Sequence, residues 1–119
     1  MRLLHLGLPV RDEQRSQRFY ADHFGFDPGS ARRFDDGTVI IQNADGFDLA
    51  LHPCADIGAL HEFLHFGFRL PDADDVRRLG DALDAAGVAI LERYDEPGYV
   101  GFKCADPDGH RVETYWEPR

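Results

Sequence analysis

The sequence predicts an α+β fold built from two copies of a βαβββ module. Residues 5–12 (HLGLPVRD) and 65–72 (HFGFRLPD) are similar, and each places one histidine in an alternating apolar run. A glycine that would end a helix recurs 62 residues later, from Gly25 to Gly87, and a turn glycine recurs 63 residues later, from Gly46 to Gly109. Three matches in the same order, at offsets of 60, 62 and 63 residues, indicate a duplicated module.

The first module is predicted over about residues 1–52. Residues 2–10 alternate, which predicts a strand with His5 and Gly7 on one face and leucine or valine on the other. Asp12 can cap a helix that buries Phe19 and Tyr20 and ends at Gly25. After a turn at residues 28–29, three strands are predicted at 31–34, 38–42 and 47–52.

The second module is predicted over residues 63–117. Residues 53–62 are the only long irregular segment and are interpreted as the linker. A strand at 63–70 and a helix at about 74–86 follow, and then strands near 88–93, 99–104 and 111–116. The 119 residues therefore form a single domain of two similar halves.

Composition excludes several classes of protein. The net charge is −9 and no cluster of lysine and arginine is present, so a nucleic-acid partner is not expected. No apolar run is long enough to cross a bilayer, and the N-terminus enters structure directly, which predicts a cytoplasmic protein without a membrane partner. Cys54 and Cys104 lack the close spacing of a metal motif and are expected to be idle thiols.

Two histidines and one glutamate are the candidate metal ligands. His5 and His65 are each followed on the same strand face by a glycine, which leaves space for water or substrate. In the alignment of the two repeats, Glu113 is equivalent to Ala50, so only the second module ends in a carboxylate. Two imidazoles and a carboxylate would leave coordination positions open for metal catalysis. The alternative is that both histidines are hydrogen-bonded strand residues and Glu113 is a solvated carboxylate.

Several motifs resemble those of the vicinal oxygen chelate superfamily, which includes glyoxalases, extradiol dioxygenases, fosfomycin-modifying transferases, methylmalonyl-CoA epimerases and bleomycin-binding proteins. The motifs are His5, Phe19-Tyr20, Phe24-Gly25-Phe26, the segment 65–68 (HFGF) and the segment 106–113 (DPDGHRVE). The resemblance implies a cup-shaped, incompletely closed mixed β-barrel with helices outside, and a homodimer. It also implies that His5, His65 and Glu113 hold the metal.

The chain departs from the named subfamilies at two positions and offers only approximate counterparts at two others. The fourth metal ligand of glyoxalases and epimerases falls on Ala50, which cannot ligate, so the resemblance is closer to the dioxygenases and the fosfomycin-type transferases. Their tyrosine ten residues before the glutamate is replaced by Lys103. His52 is the nearest candidate for the acid–base histidine of the dioxygenases, and Arg93 lies in the region of the phosphonate contacts of the fosfomycin enzymes.

Other residues are predicted to line the same cavity. Lys103 could hold an anionic substrate or assist proton transfer, although an exposed strand lysine fits equally. Arg93 is a candidate for the mouth of the cup, with solubility as its alternative role. Tyr115 shares a face with Glu113 and is a catalytic candidate, because its hydroxyl could orient a metal-bound oxygen. Phe63 and Tyr99 would supply an apolar wall. The remaining histidines are assigned no chemical role: His23, His61 and His110.

The leading hypothesis is a divalent-metal-dependent enzyme acting on a small oxygen-chelating substrate. It would be a glyoxalase-like lyase, isomerase or transferase, or an extradiol-type dioxygenase, and one Fe²⁺, Mn²⁺, Ni²⁺ or Zn²⁺ ion fits the ligand types. The rival is a metal-free small-molecule binding protein of the bleomycin-resistance type, because an acidic protein suits a cationic ligand.

Overall fold

The computed structural model describes residues 1–119 and divides the chain into two compact units, Met1–Ala59 and Leu60–Arg119. The division falls inside the predicted linker, and each unit has the order βαβββ. The predicted α+β class and the two modules are thus confirmed. No helix is long and apolar enough to cross a membrane.

The first unit is a four-stranded mixed sheet with one helix. Its strands occur in the order β1-β4-β3-β2, in which β1 and β4 are parallel and the other neighbours are antiparallel. The elements are β1 His5–Val10, α1 Glu13–Phe24, β2 Phe26–Arg33, β3 Val39–Asn43 and β4 Asp48–Pro53.

The second unit repeats this topology. Its strands occur in the order β5-β8-β7-β6, and β5 and β8 are again the parallel pair. The elements are β5 His65–Arg69, α2 Ala73–Ala85, β6 Ile90–Glu96, β7 Tyr99–Ala105 and β8 Arg111–Trp116.

The strand registers of the two units are equivalent. Gly7 pairs with Ala50 between β1 and β4, and Gly67 pairs with Glu113 between β5 and β8. Since paired residues of neighbouring strands point to the same face, Glu113 lies on the face that carries His65 and Gly67. Ala50 and Glu113 therefore occupy matching positions, as the sequence repeat predicts.

Each sheet packs its helix against one face only. In the second unit, a Cβ atom placed on Gly80 of α2 would lie 3.3 Å from the ring of Phe102, so α2 covers the face that carries Phe102. In the first unit, the fully buried side chains of Leu49 and Leu51 lie on one face of β4, and those of Ala50 and His52 lie on the other. We call the opposite face of each sheet the helix-free face.

Some element bounds differ from the sequence-based expectation. The turn expected at Pro28-Gly29 is instead an irregularity within β2, where the pairing with β3 shifts between Asp27 and Arg32. The Asp27 carboxylate accepts a hydrogen bond from the Gly29 amide at 2.8 Å, and the Ser30 hydroxyl accepts one from Gln42 N at 2.8 Å. These side chains satisfy backbone groups that the strand ladder leaves unpaired, so the strand continues through the irregularity.

We predict that Asp12→Ala destabilises the protein by about 1 kcal/mol. The Asp12 carboxylate accepts hydrogen bonds from the amides of Gln14 and Arg15, both at 3.1 Å, and so caps α1. Urea unfolding followed by circular dichroism measures the loss. Asp12→Asn keeps an acceptor oxygen and should recover most of the stability, and equal losses in both variants would contradict the capping role.

Candidate functional site

His65 is held in one orientation at the start of β5. Its Nδ1 atom lies 2.8 Å from the carbonyl oxygen of Phe63. Because a carbonyl can only accept, Nδ1 carries the hydrogen, and in the neutral imidazole the lone pair is on Nε2. That Nε2 atom lies 3.3 Å from Oε2 of Glu113.

Glu113 reaches His65 because Gly67 leaves room between them. A Cβ atom on Gly67 would lie 3.2 Å from Cβ and 3.4 Å from Oε2 of Glu113. The other carboxylate oxygen, Oε1, accepts a short hydrogen bond from the hydroxyl of Tyr99. The side chains of His65 and Glu113 are 34% and 22% exposed, so small molecules in solution can reach the pair.

Tyr99 lies flat over a glycine of its own strand. A Cβ atom on Gly101 would lie only 2.6 Å from the Tyr99 hydroxyl oxygen, so any side chain there would displace the ring. The ring also stacks on Tyr115, with 6.2 Å between the centroids and 17° between the planes. Burial and the hydrogen bond to Glu113 raise the pKa of the Tyr99 phenol, which therefore stays protonated and donates to the carboxylate.

The His65–Glu113 pair could supply two ligands to a metal ion. Nε2 and Oε2 both present lone pairs, so either a proton or a cation must lie between them. A nitrogen and a carboxylate oxygen suit Fe²⁺, Mn²⁺, Ni²⁺ or Zn²⁺, and a histidine tied through Nδ1 to a carbonyl is typical of metal ligands. Within either unit, no group of three or more His, Cys, Asp or Glu side chains that could hold a metal gathers.

Three cationic and aromatic side chains lie near this pair. Lys103 pairs in register with Glu113 and forms an ion pair with Glu92 at 2.9 Å. Lys103, Phe63 and Arg111 line a pocket of about 180 Å³ in the second unit. Two of the residues predicted for the site, Lys103 and Phe63, thus lie at this pocket. Arg111 was missed as a site residue, although its alternation with Glu113 already places it on the same face.

Arg93 lies elsewhere. It pairs with Phe102 between β6 and β7, on the face that α2 covers, and donates to Asp81 of α2 at 2.7 Å. Its guanidinium group also lies 3.3 Å from the carbonyl oxygen of Arg77. The structure therefore does not bring Arg93 together with Glu113. Strand alternation places Arg93 and Glu92 on opposite faces of β6, but only the register shows that Glu92 pairs with Lys103 and so lies on the face of Glu113.

The first unit carries two of the predicted site residues, His5 and His52. His5 is exposed at the start of β1 and occupies the position that His65 has in β5, two residues before the paired glycine. His52 lies in β4 with its Nδ1 atom 2.9 Å from the Thr38 hydroxyl oxygen. A Cβ atom on Gly7 would lie 3.1 Å from Nε2 of His52, so both histidines belong to the helix-free face.

Comparison with known proteins identifies the class of this chain. The model of the Glyoxalase/Bleomycin resistance protein/Dioxygenase superfamily matches residues 2–114. The chain therefore belongs to that superfamily, as its motifs indicated.

Individual proteins are also similar to this chain. An uncharacterized protein of Pseudomonas aeruginosa is 29% identical, over 98% of this chain and 89% of its own length. A structure described as a possible glyoxalase from Bacillus cereus has a TM-score of 0.80 at 22% identity and covers 96% of this chain and 97% of its own. Another similar structure is that of a mutant of the fosfomycin resistance protein FosX from Listeria monocytogenes, complexed with Mn(II) and dihydroxypropylphosphonic acid. It has a TM-score of 0.79 at 16% identity, and the match covers 95% of this chain and 87% of the FosX chain. At these identities the two structures show the shared fold.

Proposed function

We propose that this protein is a divalent-metal-dependent enzyme acting on a small substrate that chelates the metal through oxygen. The observation that carries the proposal is that His65 Nε2 lies 3.3 Å from Glu113 Oε2. The second polar atom of each side chain, Nδ1 of His65 and Oε1 of Glu113, is already hydrogen-bonded. The reaction would be that of a glyoxalase-like lyase, isomerase or transferase, or that of an extradiol-type dioxygenase.

Three side chains would hold the metal. His65 would contribute Nε2 and Glu113 would contribute Oε2, while His5 is the proposed third ligand because it is the repeat equivalent of His65. A bound divalent ion would act as a Lewis acid on the substrate oxygens. Ala50 offers no fourth ligand, which leaves more of the coordination shell to substrate and water.

Other residues would position the substrate. Lys103 and Arg111 lie beside the pair in a pocket that Glu62 and Glu92 also line, and Lys103 is ion-paired with Glu92. A chelating substrate with an oxygen anion would compete with Glu92 for Lys103. Phe63 is 73% exposed and would cover an apolar part of that substrate. Tyr115, stacked on Tyr99, would hydrogen-bond the substrate through its hydroxyl.

A screen of metal-loaded protein tests the enzymatic activity. The full chain, loaded with Mn²⁺ or Fe²⁺, is incubated with thiol adducts of methylglyoxal, with epoxides plus a thiol, and with catechols plus oxygen. We expect one of these substrate classes to be turned over. EDTA should abolish this turnover, and adding back the same metal should restore it. Turnover that is unchanged by EDTA and by His65→Ala would contradict metal-dependent catalysis at this site.

The second candidate is a metal-free binding protein. A proton on Nε2 would turn His65 and Glu113 into an ordinary ion pair, and the net charge of −9 suits a cationic ligand. Bleomycin binding that is equal in wild type and His65→Ala, without metal uptake by either, would favour this function.

Tyr99→Phe should weaken metal binding by about 10-fold or more, the range found for residues that orient a ligand. The variant leaves Oε1 of Glu113 without the hydrogen bond that now fixes the carboxylate. Isothermal titration with Mn²⁺ measures the change. Tyr94→Phe is the matched control, because Tyr94 is 48% exposed. Equal affinities in Tyr99→Phe and Tyr94→Phe would refute the positioning role.

A further inference from the structure

Lys103 lies between two carboxylates on the helix-free face of the second unit. It pairs in register with Glu113 of β8 on one side and with Glu92 of β6 on the other. Residues directly opposite each other in antiparallel strands have Cβ atoms about 4.5–5.5 Å apart, so the flexible lysine side chain can reach either carboxylate. In the structure its Nζ atom lies 2.9 Å from Oε2 of Glu92. Glu92 was not among the residues predicted for the site.

The choice of partner by Lys103 decides how much negative charge Glu113 offers. The two oxygens of Glu113 face Nε2 of His65, at 3.3 Å, and the hydroxyl of Tyr99. Neither of these side chains carries a permanent positive charge. An ammonium group on Glu113 would neutralise the carboxylate and compete with a metal ion for its oxygens.

Burial makes a charged partner necessary for Lys103. Its side chain is only 17% exposed, whereas that of Glu92 is 43% exposed. A charged group that has lost most of its water is stable only when a group of opposite charge replaces that water. Without the charge of Glu92, the carboxylate next in register is Glu113. The other cation near Glu113, Arg111, donates to the carbonyl oxygen of His61 at 3.0 Å.

We propose that Glu92 is a positioning residue of the metal site. It holds the ammonium group of Lys103 away from Glu113, so the Glu113 carboxylate stays available to a divalent ion. Glu92 acts through Lys103 and does not itself bind the metal. The inference rests on the proposed function, because it takes Glu113 as a metal ligand.

A cycle of variants, titrated with Mn²⁺ in a calorimeter, tests this role in the full chain. Glu92→Gln should weaken binding by about fivefold, because Lys103 then competes for Glu113. Lys103→Met should bind at least as tightly as wild type, and adding Glu92→Gln to it should cause little further change. An equal loss from Glu92→Gln in both backgrounds would overturn the proposal, since Glu92 would then act by its charge alone.

Glu96→Gln is the matched control for the loss of charge. Glu96 is exposed on the same strand and the same face as Glu92, but it pairs with Tyr99 instead of a lysine. Its substitution should change the Mn²⁺ affinity by less than about twofold, because solvent screens an exposed charge. A loss in Glu96→Gln as large as that in Glu92→Gln would also overturn the proposal.

A crystal structure of the metal-free Glu92→Gln variant tests the movement of Lys103 directly. Its Nζ atom should lie within about 4 Å of a Glu113 oxygen. An Nζ atom that stays beside the substituted residue or turns to solvent would overturn this inference alone, if wild type takes up Mn²⁺. A wild-type protein that takes up no Mn²⁺ would overturn the proposed function, and this inference with it.

Discussion

Replacing His65 with alanine is expected to weaken Mn²⁺ binding by at least about 100-fold, the upper end of what the loss of a ligand-orienting residue costs. His65 supplies one of the two atoms that face each other across 3.3 Å, and its Nδ1 bond to Phe63 already fixes the ring for that purpose. Isothermal titration, or the loss of the free Mn²⁺ signal in electron paramagnetic resonance, measures the affinity.

Two variants control this experiment. Glu113→Gln keeps the shape of the side chain but removes its charge, and it should weaken binding to a similar extent. His23→Ala removes a histidine of α1 in the first unit and should leave the affinity unchanged. Similar Mn²⁺ affinities in His65→Ala and His23→Ala would show that any bound metal lies elsewhere.

Replacing Phe102 with alanine should lower the free energy of unfolding by about 3–5 kcal/mol, as for other large aromatic residues in cores. Phe102 is 2% exposed and packs between β7 and α2, next to Gly80. Because the ring packs against a glycine, α2 has no side chain at that point to fill the cavity left by alanine. The long side chain beside it, Arg93, is held by its hydrogen bond to Asp81. Urea unfolding followed by circular dichroism measures the loss.

Phe63→Ala is the matched control for this stability prediction. Its ring is 73% exposed, so its removal should change the free energy of unfolding by no more than about 0.5 kcal/mol. Phe102→Leu should fall between the two, since leucine refills part of the space. A Phe102→Ala variant as stable as Phe63→Ala would contradict the packing described for α2.

The internal repeat made most of the fold predictable. Two copies of one module form equivalent strand pairs, so the offset between the repeats predicted that Glu113 and Ala50 occupy equivalent positions. The observed pairs, Gly67 with Glu113 and Gly7 with Ala50, agree with this. Alternation within β8 likewise predicted that Glu113 and Tyr115 share a face, because side chains of a strand alternate with a period of two.

Features that depend on individual side-chain contacts were less predictable. At the irregularity in β2 the Asp27 side chain accepts a hydrogen bond from the Gly29 amide, whereas Pro28-Gly29 by itself is typical of a turn. Tyr99 was expected to form an apolar wall, but its ring lies on Gly101 and its hydroxyl reaches Glu113. The Tyr-x-Gly spacing permits this arrangement, because the glycine lies on the same strand face.

The metal content of the wild-type protein tests the central proposal most directly. The full chain is purified without chelators or added metal, analysed for bound elements and then titrated with Mn²⁺, beside a His5→Ala/Glu113→Ala double variant prepared in the same way. The proposal predicts about one divalent ion per wild-type chain and none in the variant. A wild-type protein that contains no metal and takes none up on titration would contradict it and leave the metal-free binding function.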